Sequence, residues 1–138
     1  MADTTQQRTQ RLFPFLYVDD VRGYLEFLTK AFGFETRSHH VDSEDPEHQH
    51  AEASLGGEVV MIGHASPKWK TMSPRELTAA TTGIYAYVDE VDVHCRRARA
   101  AGAAIEAEPE DKHWGDRQYT ARDPEGYQWY FATRQRGA

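Results

Sequence analysis

The chain has 138 residues, enough for one domain with a real core or for two small modules that share one. Sixteen Lys and Arg residues oppose 22 Asp and Glu residues, a net charge of −6 that argues against nucleic acid or an anionic membrane as the main partner. Cys95 is the one cysteine, so no internal disulfide can form, and neither a signal-peptide pattern nor a membrane-spanning apolar run is present. We therefore expect a cytoplasmic protein.

Residues 1–10 are polar and predict a disordered tail, and residues 11–64 predict a βαβββ module. The stretch FLYVDDV (Phe15–Val21) alternates like a strand and ends on an acidic helix start, with Asp19 or Asp20 as N-cap. Apolar residues at helical spacing continue to Gly33. Three strand-like segments complete the module: FETRSHH, HAEASL and EVVMIG.

Residues 65–82 are rich in helix and strand breakers and predict a linker. Within the linker, Ser73-Pro74-Arg75-Glu76 matches a capping box with proline at the first helical position, so we expect a short helix of about two turns. The linker could be a lid that carries Trp69, but we favour a plain connector.

Residues 83–134 repeat the pattern of the first module. YAYVDEV (Tyr85–Val91) matches FLYVDDV, Asp89 is the expected N-cap, and helical spacing runs on to Gly102. The strand-like segments AAIEA, RQYTAR and YQWYFAT follow. This internal repeat indicates a duplicated α+β unit of about 50 residues.

The duplicated unit, the WGDR motif at Trp114–Arg117 and the closing stretch DPEGYQWYFA resemble the vicinal oxygen chelate superfamily. That superfamily includes glyoxalases, extradiol dioxygenases and bleomycin resistance proteins, and the resemblance covers residues 11–134. It implies an α+β fold in which two modules form a curled mixed sheet, an open barrel around a cavity. It also implies a homodimer, often with each cavity lined by both chains.

The resemblance further implies where a metal would bind. Metal-dependent members take one ligand from the first and one from the last strand of each module, and the matching positions here are Phe13, Met61, Gly83 and Tyr130. These residues lack the imidazole nitrogens and carboxylate oxygens that such an ion requires. We therefore expect the metal-free binding branch, with no cofactor. A histidine-rich stretch elsewhere fits no compact ligand spacing either: His39, His40 and His48.

The two-residue period of a strand predicts which side chains line the cavity. With the register that the resemblance implies, the inner wall is aromatic and carries phenol hydroxyls, which suits a flat, conjugated guest. The wall residues are Phe13, Phe15, Tyr17, Met61, Tyr85, Tyr87 and Tyr130. The same side chains could instead close on one another as a second core.

Four further residues are candidates for the site. His50 and Glu52 alternate on one strand and could be a general base with its orienter, two ligand contacts or an ordinary strand-edge pair. Arg117 could donate to a ligand or pair with a structural carboxylate. Trp114 could stack on a guest or cover the end of the barrel.

Taken together, these features predict a metal-free homodimer that binds and sequesters an aromatic small molecule such as an antibiotic. The leading alternative is a glyoxalase-like enzyme (a lyase, isomerase or dioxygenase) that uses His50, Glu52 and Tyr130, or a metal held by ligands at other positions. A structural or regulatory dimer with a collapsed cavity is the third possibility.

Overall fold

The computed structural model describes residues 9–135, which form two βαβββ modules in chain order. The first contains β1 (Phe15–Val18), α1 (Val21–Phe27) with a π-helical turn (Leu28–Phe32), β2 (Glu35–Asp42), β3 (Asp45–Leu55) and β4 (Glu58–His64). The second contains β5 (Gly83–Tyr87), α2 (Val91–Ala100), β6 (Ala104–Asp111), β7 (Asp116–Arg122) and β8 (Gln128–Arg134). Neither helix of this described part is long and apolar enough to cross a membrane.

Most of the predicted N-terminal tail, residues 1–8, lies outside the described residues. Gln10, the last residue of the predicted tail, is held in place by β4. Its side-chain amide accepts from Val59 N at 2.8 Å and donates to Val59 O at 2.9 Å. Gln10 thus pairs with the outer part of β4 as a short strand would.

Each module forms one four-stranded mixed sheet, with strand orders β1-β4-β3-β2 and β5-β8-β7-β6. In both sheets the first strand runs parallel to the last, and the remaining pairs are antiparallel. The equivalent topologies confirm the duplicated α+β unit, and the two sheets stay open rather than closing into one barrel.

The two helices begin differently, and only one start follows the sequence prediction. Asp20 caps α1, since its side chain accepts from Gly23 N at 2.9 Å. The prediction of Asp89 for α2 is wrong: Glu90 is the N-cap and makes no side-chain cap bond. Instead, Thr133 Oγ1 on β8 accepts from Val91 N at 3.0 Å, so a neighbouring strand satisfies the helix end.

The linker contains two 3₁₀ turns, Pro67–Trp69 and Pro74–Glu76. Ser73 caps the second turn as predicted, but the turn is shorter than the expected helix because Leu77 is already extended. The Ser73 hydroxyl also contacts the second module, lying 2.6 Å from Glu125 Oε1 and 3.0 Å from Glu125 O. The middle of the linker is therefore fixed to the second module.

One buried apolar core joins the helix-facing sides of both sheets. Phe32, at the end of the π-helical turn, lies 4.6 Å from Phe131 and 5.4 Å from Trp129 between ring centroids. His94 on α2 connects the same elements, with Nε2 at 2.8 Å from Phe32 O and Nδ1 at 2.6 Å from Tyr119 Oη. Burial lowers the pKa of His94, which favours the neutral ring and a structural role.

The turn before β8 carries a buried carboxylate, Asp123, that is 4% exposed. Asp123 accepts from the Tyr24 hydroxyl at 2.6 Å and from the Trp129 indole at 2.9 Å. It also accepts from the backbone of Glu125 at 2.9 Å and of Tyr127 at 3.0 Å. One side chain thus fixes the turn, β8 and α1 of the other module.

Two neighbours of Asp123 extend this contact between modules. Glu125 accepts from Asp19 N at 2.9 Å and from Asp20 N at 3.1 Å, just before α1. The Tyr127 hydroxyl accepts from Tyr17 N and donates to Tyr17 O, both at 2.8 Å. Because β1 is an edge strand, Tyr127 takes the place of a neighbouring strand there.

The Asp123 contacts predict the effect of removing one donor. Tyr24→Phe keeps the ring but leaves the buried carboxylate one hydrogen bond short, so we expect a loss of about 1–3 kcal/mol in the free energy of unfolding. Urea denaturation followed by tryptophan fluorescence measures this loss. Tyr17→Phe is the control, since that ring is only half-buried, and should change stability by less than about 0.5 kcal/mol. Equal effects of the two variants would contradict the role of Tyr24.

Candidate functional site

The first wall is the face of β1, β3 and β4 that points away from the helices. Phe15 pairs with Met61 and Tyr17 with Gly63 across β1 and β4. Across β3 and β4, Glu52 pairs with Met61 and His50 with Gly63. Strand alternation thus brings five predicted residues onto one surface: Phe15, Tyr17, His50, Glu52 and Met61.

Aromatic contacts organise the first wall. The Phe15 ring lies 5.1 Å from Tyr17 and 5.7 Å from His50 between centroids. A Cβ atom at position 63 would lie 2.8 Å from the Phe15 ring, so glycine is needed there for the ring to lie across β4. His50 Nε2 is 3.8 Å from Glu52 Oε2, an ion-pair contact too long for a hydrogen bond that would orient a general base.

A cavity of about 280 Å³ opens on the first wall, and the linker contributes to it. Trp69 lines this cavity together with Phe15, Tyr17 and His50, and its ring lies 5.1 Å from that of His48. The linker is therefore more than the plain connector that we favoured. A tryptophan among linker residues was the available signal, since large aromatics seldom stay in a connector without a contact.

The second wall is the equivalent face of β5, β7 and β8. Tyr85 pairs with Tyr130 across β5 and β8, and their rings are stacked at 6.0 Å. Tyr87 follows on β5, 5.6 Å from Tyr85. A Cβ at position 83 would lie 2.7 Å from the Tyr130 ring, so Gly83 makes room for that ring as Gly63 does for Phe15.

A carboxylate that sequence reasoning missed organises the second wall. Asp116, 1% exposed, accepts from Tyr85 Oη at 2.6 Å, Tyr87 Oη at 2.9 Å and Arg134 Nε at 2.7 Å. Trp114 Nε1 donates to Tyr85 Oη at 3.2 Å, which adds the WGDR loop to the wall. Burial and the bond to Asp116 raise the pKa of Tyr85, so its phenol stays protonated at neutral pH. The sequence signal for this carboxylate was an acidic residue two positions after Trp114.

Two predicted residues lie outside the strand faces that form these walls. Arg117 points to the helix side of β7, where Nε is 2.9 Å from Asp92 Oδ2 and Nη1 is 3.1 Å from Asp111 Oδ1. Because side chains alternate along a strand, Arg117 lies on the same face of β7 as the buried Tyr119. This position does not support the interpretation of Arg117 as a ligand contact. Phe13 precedes β1 and is half-buried at the end of the first wall.

Both walls remain accessible in the single chain. Exposed fractions are 42% for Phe15, 43% for Tyr85, 52% for Tyr87 and 50% for Trp114. The Phe15 ring packs within the first module, and the Tyr85 ring within the second. The two walls have therefore not collapsed onto each other as a second apolar core.

The residues at the implied metal positions do not fit a metal. Phe13 and Gly83 have no side chain that could donate an electron pair to a metal. Met61 offers only a thioether and Tyr130 only a phenol. The Tyr130 phenol already donates a hydrogen bond to Gln128 at 2.8 Å. Within residues 9–135, no three His, Cys, Asp or Glu side chains come together in a group that could hold an ion.

Comparison with known proteins agrees with this architecture. The family model of the Glyoxalase/Bleomycin resistance protein/Dioxygenase superfamily matches residues 8–131. The chain belongs to that superfamily. The uncharacterized protein Mb0911c of Mycobacterium bovis is 34% identical over 121 residues, which cover 86% of this chain and 79% of that protein.

Two solved structures share the fold. TioX from a Micromonospora species superposes with a TM-score of 0.70 at 29% identity, covering 91% of this chain and 98% of TioX. The fosfomycin resistance protein FosX from Listeria monocytogenes superposes with a TM-score of 0.67 at 16% identity, covering 91% of this chain and 92% of FosX.

Hydrogen bonds lower the pKa of Asp116 below the ordinary aspartate value of 3.8, and the bond from Tyr85 contributes most to this shift. A carboxyl group with a lower pKa in the folded than in the unfolded chain stabilises the fold above the unfolded value, and this contribution disappears as pH falls through the folded value. Asp116→Asn should therefore lower the melting temperature at pH 7, and the difference from the parent chain should shrink below about pH 4.

Circular dichroism melts between pH 7 and pH 2.5 measure this difference. Asp89→Asn, at an exposed position, removes the same charge without those contacts and should melt close to the parent chain at pH 7. An Asp116→Asn difference that stays constant over the whole pH range would contradict the assignment.

Proposed function

We propose that this protein binds a planar aromatic small molecule without a metal and protects the cell by sequestering it, in the manner of antibiotic-binding proteins. The observation that carries the proposal is the pair of accessible aromatic walls, with Phe15 at 42% and Tyr85 at 43% exposure. Aromatic side chains at this density attract a flat guest, since each well-placed ring pair contributes about 0.5–1.5 kcal/mol beyond area burial. The buried, unpaired thiol of Cys95 agrees with a cytoplasmic setting.

The proposal includes a homodimer in which each binding site combines walls of two chains. Large exposed apolar patches usually mark an interface, and both walls meet that description. Each wall is open to one side, so a second wall facing it would enclose a guest on both ring faces. A two-fold dimer supplies that second wall from an identical chain.

The dimer is tested by mass. Multi-angle light scattering at micromolar concentration should give twice the chain mass of 15.8 kDa. Phe15→Glu places a charge in the middle of the first wall and should shift the mass towards the monomer, whereas Val93→Glu, on the exposed side of α2, should not. A monomer mass for the parent chain would exclude the dimer, and equal effects of the two variants would exclude this interface.

The competing function is a glyoxalase-like lyase, isomerase or dioxygenase. Its best support is the proximity of His50 and Glu52, which lie on a wall that could hold a substrate. Two observations favour binding instead. The His50–Glu52 contact is 3.8 Å long, and the Tyr130 hydroxyl already donates to Gln128 Oε1 at 2.8 Å. A tyrosine with its proton engaged in this way is a poor acid for a substrate.

Tyr130 variants distinguish binding from catalysis. Tyr130→Ala removes a ring of the second wall and should weaken binding of a planar ligand by about 2–4 kcal/mol, the cost of truncating an anchor residue. Tyr130→Phe keeps the ring and should cost at most about 0.5–1.5 kcal/mol. If Tyr130 were a catalytic acid, Tyr130→Phe would lower turnover on the order of a hundredfold while binding held.

Both quantities can be measured on the same samples, with affinity taken from calorimetry and conversion of the ligand from chromatography. Val93→Ala, at an exposed position away from both walls, is the matched control and should not change affinity. Recovery of the ligand as a converted product would contradict sequestration. Unchanged affinity in Tyr130→Ala would contradict binding at the second wall.

A further inference from the structure

The second wall differs from the first in its buried polar groups. Along β7, Asp116, Gln118 and Thr120 are at most 7% exposed and lie on the side opposite the core residue Tyr119. Gln118 pairs with Ala132 of β8, and Ala132 pairs with Tyr87 of β5. Gln118, Ala132 and Tyr87 therefore lie in one cross-strand row on this side of the sheet.

The hydroxyl protons of the second wall are already engaged. Tyr85 and Tyr87 donate to Asp116, at 2.6 Å and 2.9 Å, and Tyr130 donates to Gln128 at 2.8 Å. Asp116 stays ionised at neutral pH and cannot donate. The tyrosines therefore have no hydroxyl proton left for a ligand. Two of their oxygens also accept already, that of Tyr87 from Arg134 Nη2 at 2.7 Å and that of Tyr85 from Trp114 Nε1 at 3.2 Å.

Gln118 has an acceptor that nothing in the described chain satisfies. Its side-chain oxygen Oε1 is buried without a hydrogen-bond partner among residues 9–135, although the residue is only 6% exposed. Buried amide oxygens are nearly always paired, because leaving one unpaired destabilises the folded state. Such an acceptor takes its partner from outside the chain, either a bound water or a ligand.

We propose that Gln118 Oε1 is a recognition group of the second wall and accepts a hydrogen bond from the amino or protonated ring-nitrogen edge of an aromatic ligand. This proposal rests on the proposed function and adds to it the chemical class of the guest: a planar ring system that donates hydrogen bonds. The net charge of −6 favours a cationic member of that class.

Trp114 borders the second wall at Tyr85. Its indole is 50% exposed and reaches the second wall through one hydrogen bond of 3.2 Å to Tyr85 Oη. The neighbouring Gly115 has a φ of 100°, a conformation that glycine adopts without strain and that lets the loop turn at this point.

The test uses two probes that share one tricyclic ring and differ at its edge. 9-Aminoacridine carries an amino donor and a positive charge, and acridine-9-carboxylate carries only acceptors and a negative charge. Calorimetric titration of the full-length chain at pH 7 should show at least about tenfold tighter binding of 9-aminoacridine, the effect of one hydrogen bond that involves a charged partner.

Gln118→Met isolates the proposed contact, because it keeps the length and volume of the side chain and removes the acceptor without changing the net charge. This variant should lose about tenfold in affinity for 9-aminoacridine and less than about twofold for the carboxylate. Its melting temperature should equal or exceed that of the parent chain, since an unpaired buried oxygen is replaced by an apolar group. Gln135→Met, at a position outside both walls whose amide donates to Asp111 at 3.0 Å, is the matched control and should keep the probe preference.

The outcomes separate the two proposals. If neither probe binds the parent chain, the aromatic-binding function fails and the inference fails with it. If both bind equally, or if Gln118→Met keeps the preference for 9-aminoacridine, the function stands and the role of Gln118 is overturned. A melting temperature several degrees lower in Gln118→Met would also overturn it, by showing that the amide has a structural partner.

Discussion

The buried carboxylate of Asp123 is the contact on which the relation of the two modules depends. It takes donors from α1 of the first module and from β8 and the turn of the second, with distances of 2.6–3.0 Å. Burial raises the pKa of Asp123, while these four donors favour its charged form. A charge in such a place is stabilising only if every donor is present, so the DPEG turn, Tyr24 and Trp129 form one unit.

This connection leaves the inner faces of both sheets out of the core. The helix-facing side chains of the two modules fill a common interior, and the turn at Asp123 and Glu125 fixes their relative position. The aromatic walls then have no part in holding the modules together. The core that joins the modules and the aromatic walls accordingly lie on opposite faces of the same strands.

Local patterns in the sequence were enough to predict the fold and much of the first wall. The repeat and the two-residue alternation predicted the α+β fold, and they predicted Phe15, Tyr17 and Tyr85 on the strand faces that point away from the helices, because each signal depends on neighbours along the chain. Contacts between distant segments could not be found in this way. The hydroxyl of Thr133, rather than the predicted Asp89, accepts a hydrogen bond from the start of α2. Arg117 pairs with Asp92, 25 residues away. Asp116 gains its role from Tyr85, 31 residues away.

The anchored linker has a consequence for how the modules can move. Its midpoint is fixed by Ser73 at Glu125, and a Cβ atom at Gly126 would lie 2.7 Å from Pro74 O, so linker and turn are in close contact. A segment held in this way is not a free hinge between the modules. A backbone cut at the exposed residues 77–79, beyond this anchor, would leave both modules with their full set of mutual contacts. The two halves are then complementing fragments, able to reassemble without a covalent connection.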